Sequence, residues 1–466
     1  MSIIHGLAFR VFPLKNILLG GIIASVISCS FTAEEISTDP AIKLRFSADT
    51  IFFDTIFSEI PSISRRLKVY NDYNQTVRIA KIEFNNPNSP YSLTVNGIQG
   101  TAFNNTQLLA NDSMLVFLEA NISDRDSLSP YVVEDQLKFI TNGNQQEISV
   151  FSWGQDANYL KDSILASNTT WQAGKPYVIF DNILIDSLCT LNIGPGARIF
   201  SHPGSNIYVK GSIKVNGTRE NRIIFMNDRF DGNYANSPGQ WGGIVFLEGS
   251  KNNLFQYADI RNGQIGIWLG TPDKDTLADL VLENSIIENM SESAVLAFTA
   301  DLEMTNCLLD NTGQLTFGGL AGGNYILKHN TIANYAFGFF KSQPAVAITN
   351  QLELSDGTNL AAPVSLIMQN NIVWGISNDE ISLLNESGND FTIDMLNNLL
   401  KTNDPAFEGF NNIINQDPQF TDPGEFDYLL ETSSPAINAG ASLNIFIDLR
   451  GNARSNTPDI GAYEIQ

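Results

Sequence analysis

Between Leu254 and Lys401 the chain repeats one short pattern: apolar, polar, apolar, polar, then asparagine. The copies read Leu280-Val281-Leu282-Glu283-Asn284, Leu302-Glu303-Met304-Thr305-Asn306, Tyr325-Ile326-Leu327-Lys328-His329, Leu366-Ile367-Met368-Gln369-Asn370 and Ile393-Asp394-Met395-Leu396-Asn397. Most are followed by an apolar pair, as in Ile286-Ile287, Leu308-Leu309, Ile372-Val373 and Leu399-Leu400. A unit this short cannot bury its own apolar side, so the copies must stack, and the chain is expected to form a solenoid. Alternation with a period of two points Leu282, Met304, Leu327, Met368 and Met395 inward. It points Glu283, Thr305, Lys328, Gln369 and Leu396 outward, with Gln256 continuing that column if Phe255 is inward. At a strand spacing of about 4.8 Å, Asn284, Asn306, Asn370 and Asn397 can bond to one another and to turn backbone. Asparagine also tolerates left-handed turn conformations, so these four are read as a structural ladder rather than as ligands. His329 occupies an asparagine position and is expected to be a satisfied turn residue. The step from His329 to Asn370 exceeds one coil, which predicts an edge insertion over residues 342–363.

The remaining composition fits an all-β chain. Charged residues make up only 17% and glycines number 35 among 466 residues, which suits turn-rich strands better than helices. Residues 42–157 carry short alternating segments separated by Asn71-Asp72, Asn85-Asn86-Pro87, Asn96-Gly97, Asn111-Asp112 and Asn142-Gly143. Strands at this spacing predict a β-sandwich. The order of these segments, closing on Val150-Phe151-Ser152-Trp153-Gly154, resembles the Ig-like domains that precede β-helices in surface lipoproteins, without a Cys…Trp…Cys signature. From Trp171, stretches such as Leu191-Asn192-Ile193-Gly194-Pro195-Gly196-Ala197-Arg198-Ile199 and Trp241-Gly242-Gly243-Ile244 resemble the entry coils of right-handed parallel β-helix proteins of the pectin-lyase-like kind. The fold that this resemblance implies is an Ig-like β-sandwich followed by a right-handed parallel β-helix over residues 165–425. Residues 426–466 contain Ser434-Pro435-Ala436-Ile437-Asn438-Ala439-Gly440 and Asp459-Ile460-Gly461-Ala462-Tyr463-Glu464 and resemble the choice-of-anchor ending of β-helix surface proteins. They are expected to cap the solenoid's open end, with Asp448, Arg450, Arg454 and Asp459 forming ion pairs.

The N-terminus places Arg10 and Lys15 before the apolar stretch 17–27 and ends on Val26-Ile27-Ser28-Cys29. This resembles a lipobox, which implies a signal peptide over 1–28, lipidation of Cys29, an acidic tether over 29–41 and anchoring in the outer membrane. Acidic Glu34-Glu35 resembles a surface-export signal. Removing two cations moves the formal charge from −23 to −25, which excludes nucleic acid as a natural partner. Scattered His5, His202 and His329 and Cys29, Cys189 and Cys307 give no metal-ligand spacing, so no cofactor is expected.

The outward column holds one acid and one base, short of the clustered carboxylates that sugar hydrolysis wants. No catalytic residue is therefore assigned. A candidate glycan-binding site is placed where Trp241, Tyr257, Asp259, Arg261 and Trp268 could stack on sugar rings and bond hydroxyls or carboxylates, although core packing is the commoner fate of either tryptophan. Asp followed by Ser or Thr and an aliphatic residue occurs seven times, against about two by chance from composition. The pattern resembles an O-glycosylation acceptor, which implies glycans on Thr50, Thr55, Ser113, Ser127, Ser163, Ser187 and Thr276; Asp-Ser and Asp-Thr also favour turns without any modification. The leading functional reading is a lipid-anchored envelope protein whose β-helix binds glycans or envelope proteins without catalysis. A polysaccharide lyase or glycoside hydrolase, with calcium relevant only there, is the second reading. A structural spacer is the third.

Overall fold

The computed structural model describes residues 35–270 and 277–466; Cys29, the leader, Glu34 and Thr276 lie outside them. Among the described residues no helix is long and apolar enough to cross a membrane.

The first unit is two sheets on one core. Strands Ile36–Ser37, Thr76–Phe84, Tyr131–Thr141, Asn144–Gln155 and Thr50–Phe57 form one sheet in that order, with Ala102–Leu108 also paired to Thr76–Phe84. Arg45–Phe46, Arg65–Tyr70, Ser113–Ala120, Tyr91–Val95 and Ile98–Gly100 form the other. Alternation in the sequence becomes alternation in burial: Met114, Val116, Leu118 and Ala120 point in, while Leu115 and Phe117 point out. Asn142 and Gly143 both take positive φ, the twist a two-residue hairpin needs between Tyr131–Thr141 and Asn144–Gln155. Tyr91 is buried, and its hydroxyl is 2.8 Å from the Val133 carbonyl and 2.7 Å from Ser152 Oγ, tying the sheets together.

The second unit is a parallel β-helix. Its 25-stranded sheet starts at Asn158–Leu165, somewhat before the expected residue 165, and runs to Ile413–Ile414. Each coil contributes strands to three faces. A representative coil passes from Gly263–Leu269 on the first face to Leu280–Glu283 on the second and Ile286–Met290 on the third. Register on the second face aligns Gln256, Glu283, Thr305, Lys328, Gln369 and Leu396 in a single outward column. Leu282, Met304, Leu327, Met368 and Met395 are buried in the continuous core. Glycine is required at Gly243, where φ is +151° and a β-carbon would lie 1.8 Å from the Ile265 carbonyl oxygen of the next coil.

The corner between the second and third faces is where the asparagine pattern sits. Asn284, Asn306, His329, Asn370 and Asn397 all have positive φ, and Tyr257 holds the same position one coil earlier. Only part of the expected ladder forms there: Asn306 Nδ2 donates to Asn284 Oδ1 at 3.2 Å, while Asn370 and Asn397 donate to the Ala441 and Ala439 carbonyls. The continuous ladder runs one residue later, through Asn330, Asn371, Asn398 and Asn412, each amide oxygen accepting from the preceding rung at 2.9–3.1 Å. A second ladder, Asn227, Asn262, Asn289 and Asn311, follows the other end of the third face.

His329 is wholly buried, and Asn370 Nδ2 lies 2.8 Å from its Nε2, while its Nδ1 lacks a hydrogen-bond partner. Burial, with Arg454 adding, pulls its pKa down to about 2. The unfolded chain therefore binds a proton near pH 6.5 that the folded one refuses, so stability is full above that pH and falls as pH drops below it. Replacing His329 by Asn, the residue found on the neighbouring rungs, should leave stability near pH 8 little changed. At pH 5 it should gain about 2 kcal/mol over the parent. Denaturant melts at both pH values check this; equal shifts would mean that the imidazole is not held neutral.

Three expectations about the C-terminal third are corrected. The insertion is two separate excursions. Residues 335–345 loop from the third face to the first, then Val346–Thr349 rejoins the wall, and a hairpin of Gln351–Glu353 with Asn359–Ala361 projects beyond it. The segment 426–466 does not close the end, where the turn carrying Phe407 enters the core instead. It lies back along the solenoid's side as a clasp. Tyr428, Leu430, Ala436, Leu449, Ile460 and Ala462 pack with Leu308, Ala333, Ile372, Trp374 and Leu399 of the third face. This buries an apolar stripe that would otherwise face water. The expected ion pairs are also different. Arg454 pairs with Glu464 at 3.3 Å, the carboxylates of Asp448 and Asp459 accept backbone N–H groups, and Arg450 is exposed beside the Tyr463 ring.

Candidate functional site

The third face carries a polar column at one end and an apolar one at the other. Register places Arg261, Glu288, Asp310, Ala333 and Trp374 on successive rungs, with Asp259, Ile286, Leu308, Thr331 and Ile372 alongside. The clasp covers the apolar end. Where it stops, a cleft of about 620 Å³ opens between the third face, the turn bearing Arg219 and Arg222, Glu425, and the clasp residues Phe426, Arg450 and Tyr463.

Four arginines line this cleft, Arg219, Arg222, Arg261 and Arg450, against two glutamates, Glu288 and Glu425. Buried Asp259 holds Arg222 at 2.7 Å and Arg261 at 3.5 Å, and Arg261 also pairs with Glu288 at 2.9 Å. Two guanidinium groups are thus oriented by fixed acids. Arg219 and Arg450 are exposed, with no acid within ion-pair distance among the described residues. Burial raises Glu288 above the usual carboxylate range, although Arg261 opposes it. Asp310, the next rung, is fully buried, and burial followed by the neighbouring Glu288 pushes it well up. Neither Asp310 oxygen nor the Tyr428 hydroxyl beside it makes a well-formed hydrogen bond. The column therefore holds one carboxyl at the edge of the cleft and one sealed beneath the clasp.

The expected glycan site is only partly assembled. Asp259, Arg261 and Tyr257 come together, with Arg222 5.6 Å from the Tyr257 ring centre. Trp241 does not join them: it is fully buried and its Nε1 donates to the Arg261 carbonyl at 2.8 Å, so it is a core residue. Trp268 is exposed on the first face, with its ring 5.6 Å from Phe298, well removed from the third-face cleft. The residues that sequence reasoning missed are Arg219, Arg222, Glu288, Asp310 and Arg450. A signal existed for two of them. Reading one place beyond the apolar pairs gives Glu288 after Ile286-Ile287 and Asp310 after Leu308-Leu309, the column that starts at Arg261.

The Asp-Ser positions at Asp112 and Asp186 sit at turns, whereas Asp54 lies within strand Thr50–Phe57. Asp54, Asp112 and Asp186 accept from the next residue's N–H at 2.7–3.0 Å. Thr50 and Ser187 are exposed, whereas Thr55, Ser113, Ser127 and Ser163 are half-buried, and Ser127 Oγ donates to the Ser129 carbonyl. Among the described residues no group of three or more His, Cys, Asp or Glu side chains is placed to hold a metal ion.

Residues 163–275 match the family model of a pectate-lyase like beta helix domain, which supports the pectin-lyase-like fold for this part of the chain. The match includes Asp259 and Arg261 but stops before Glu288 and Asp310. No curated protein matches. Among solved structures, a protein of unknown function from Porphyromonas gingivalis W83 is 14% identical over 27% of this chain and 60% of its own, with a TM-score of 0.19. A family 123 glycoside hydrolase from Clostridium perfringens is 7% identical over 28% of this chain and 30% of its own, with a TM-score of 0.18. The catalytic domain of Agl-KA is 11% identical over 71% of this chain and 76% of its own, with a TM-score of 0.22. The chain thus spans less than two thirds of the first two. At these TM-scores the likenesses say nothing about activity.

Proposed function

We propose that this is a lipid-anchored envelope protein that binds acidic glycans in the cleft between the third face and the clasp. Cys29 carries the anchor, an Ig-like sandwich spaces the β-helix from the outer membrane, and the β-helix presents the binding surface. The observation that carries the ligand class is charge. In a chain of net charge −23, one concave site gathers four arginines, two of them without an acidic partner among the described residues. A guanidinium fork matches a carboxylate in two parallel hydrogen bonds.

Titrating uronate oligosaccharides into the full chain should give saturable binding that weakens as salt is raised, whereas replacing both Arg219 and Arg450 by alanine should weaken it at least tenfold. Each removed guanidinium forfeits a charge-assisted hydrogen bond of about 1.5–3 kcal/mol, and about 1.4 kcal/mol is tenfold. Absence of uronate binding, or affinity untouched by the double substitution, overturns the reading.

One feature favours catalysis instead: Glu288 is a mostly buried carboxyl with a raised pKa beside Arg261, the situation of a general acid. Its counterpart is lacking in reach, because Asp310 is sealed under the clasp and Asp259 is held by two arginines. New reducing or unsaturated ends from acidic polysaccharide, with or without calcium, that disappear in Glu288→Gln would establish the lyase or hydrolase reading.

A further inference from the structure

A second cleft lies where the sandwich meets the first coils of the solenoid. It holds about 380 Å³ and is bounded by residues 53–65 of the sandwich and by 202–203 and 228–231 of the solenoid. Its floor is apolar: Phe57 is buried against Phe200, and Phe230 packs edge-on to Phe200 with Ile60 beside them. Set into this apolar floor are polar groups that the protein itself leaves unused. His202 Nδ1 is 2.7 Å from Asp228 Oδ2, and the imidazole packs 4.6 Å from the Phe180 ring, so the ring is held in one orientation. Its Nε2 has no partner among the described residues, and the side chain is 45% exposed. Asp228 is more than nine-tenths buried, yet its Oδ1 has no hydrogen-bond partner. Across the cleft, Arg65 Nε is buried and unpartnered. The other guanidinium, Arg229, is taken up by a fork to Asp231 and lies 3.6 Å over the Tyr234 ring.

Buried polar groups normally find partners, because leaving one unsatisfied costs about 1–3 kcal/mol. Here two acceptors, Asp228 Oδ1 and His202 Nε2, and one donor, Arg65 Nε, belong to residues that line one apolar plate. With the imidazole neutral, the three lining acids, Asp54, Asp228 and Asp231, outnumber the two guanidinium groups of Arg65 and Arg229, so the cleft does not attract an anion. A ligand that answers this set must offer hydroxyls that both donate and accept, on a flat body with an apolar face, and need carry no charge. We infer that the junction cleft is a binding site for a neutral sugar, one or two pyranose units in size, held by His202, Asp228 and Arg65 over Ile60 and Phe230. This site is separate from the arginine cleft and takes a different class of glycan. The sandwich would then contribute to recognition as well as spacing.

The test is ligand-observed NMR and calorimetry on the full chain with glucose, galactose, mannose, N-acetylglucosamine and their β-linked disaccharides. At least one should bind with a dissociation constant at or below the millimolar range. His202→Ala and Arg65→Ala, on opposite walls, should each weaken it about tenfold or more, the arithmetic of losing one hydrogen bond to a charged or fixed group. Arg65→Lys should recover little, since lysine has no Nε–H to place there. Arg450→Ala should leave neutral-sugar binding unchanged while weakening uronate binding, so that failure at one cleft is distinguishable from failure at the other. Unaltered melting temperatures identify variants that remain folded. The inference is overturned if no neutral sugar binds, if binding ignores both wall substitutions, or if uronates compete at this site as well as neutral sugars do.

Discussion

Replacing Arg454 by alanine should free the clasp from the solenoid at a loss of about 3–5 kcal/mol, the usual result of removing one partner from a buried ion pair. The Arg454 side chain is 1% exposed, and it donates to Asn306 Oδ1 at 2.8 Å, to the Gly461 carbonyl at 2.9 Å and to Glu464. Burial pulls its pKa down, opposed by Glu464, Asp448 and Asp459, so the acids around it depend on its charge. Glu464 in turn accepts from the Ser455 and Asp459 N–H groups, which fixes the fold of the clasp itself. With Arg454 gone, Glu464 remains buried without a counter-charge and the corner at Asn306 loses its link to the clasp. The expected readout is selective. Protease should cut between residues 415 and 466 in the folded protein, and an environment-sensitive dye should bind the uncovered Leu308, Ile372, Trp374 and Leu399 stripe. Arg454→Lys should lie between parent and alanine, because it keeps charge and loses the fork. Protection equal to the parent's in the alanine variant would show that apolar packing alone holds the clasp. The same release should weaken uronate binding, since Arg450 and Tyr463 belong to the clasp.

The solenoid was legible because its information is local. Alternation within Leu280–Glu283 or Val364–Gln369 fixes which side chains face the core, and the structure keeps the predicted outward column in register over six rungs. The ladder was legible only to within one residue. In Asn370-Asn371 and Asn397-Asn398 both members are asparagine, and the repeat alone does not say which one turns inward. Geometry decides it: the first takes the left-handed corner and faces the clasp, and the second points along the stack.

The candidate site was harder to read because it is assembled across long sequence separations. Arg222 and Asp259 belong to successive coils, Glu288 to the next, and Arg450 to a segment that returns along the side. Period-two alternation gives the face of a strand but not which face of the solenoid it joins. Trp268 and Arg261, seven residues apart, were therefore grouped although they lie on different faces. Trp241 takes the core position that is the commoner fate of a tryptophan in such a coil, and its Nε1 finds a backbone carbonyl that lets it enter.

Glu380→Ala should destabilise the solenoid by about 3–5 kcal/mol, comparable to the loss at Arg454 but at the opposite kind of location, inside a coil junction. Glu380 is fully buried and accepts from Lys341 Nζ at 2.6 Å, from the Ala345 N–H at 2.8 Å and from the Ser377 N–H at 2.7 Å. One carboxylate thereby pins the loop 335–345 to the turn before Ile381–Leu384, the point where the chain leaves the regular repeat and must regain it. Burial lowers the Lys341 pKa despite Glu380, so the ammonium is tolerated there only with its partner. Alanine at 380 strands that charge together with two N–H donors. Lys341→Met strands less, because the carboxylate keeps its two N–H bonds, and a smaller loss of about 1–3 kcal/mol is expected. Four of the five tryptophans, Trp171, Trp241, Trp268 and Trp374, lie in the solenoid, so denaturation followed by their fluorescence reports on it. If the two residues act as a pair, the double variant should cost less than the sum of the single ones by more than about 0.5 kcal/mol. Additive losses, or a Lys341→Met variant as stable as the parent, would mean that the junction is held by the backbone contacts of Glu380 and not by the ion pair.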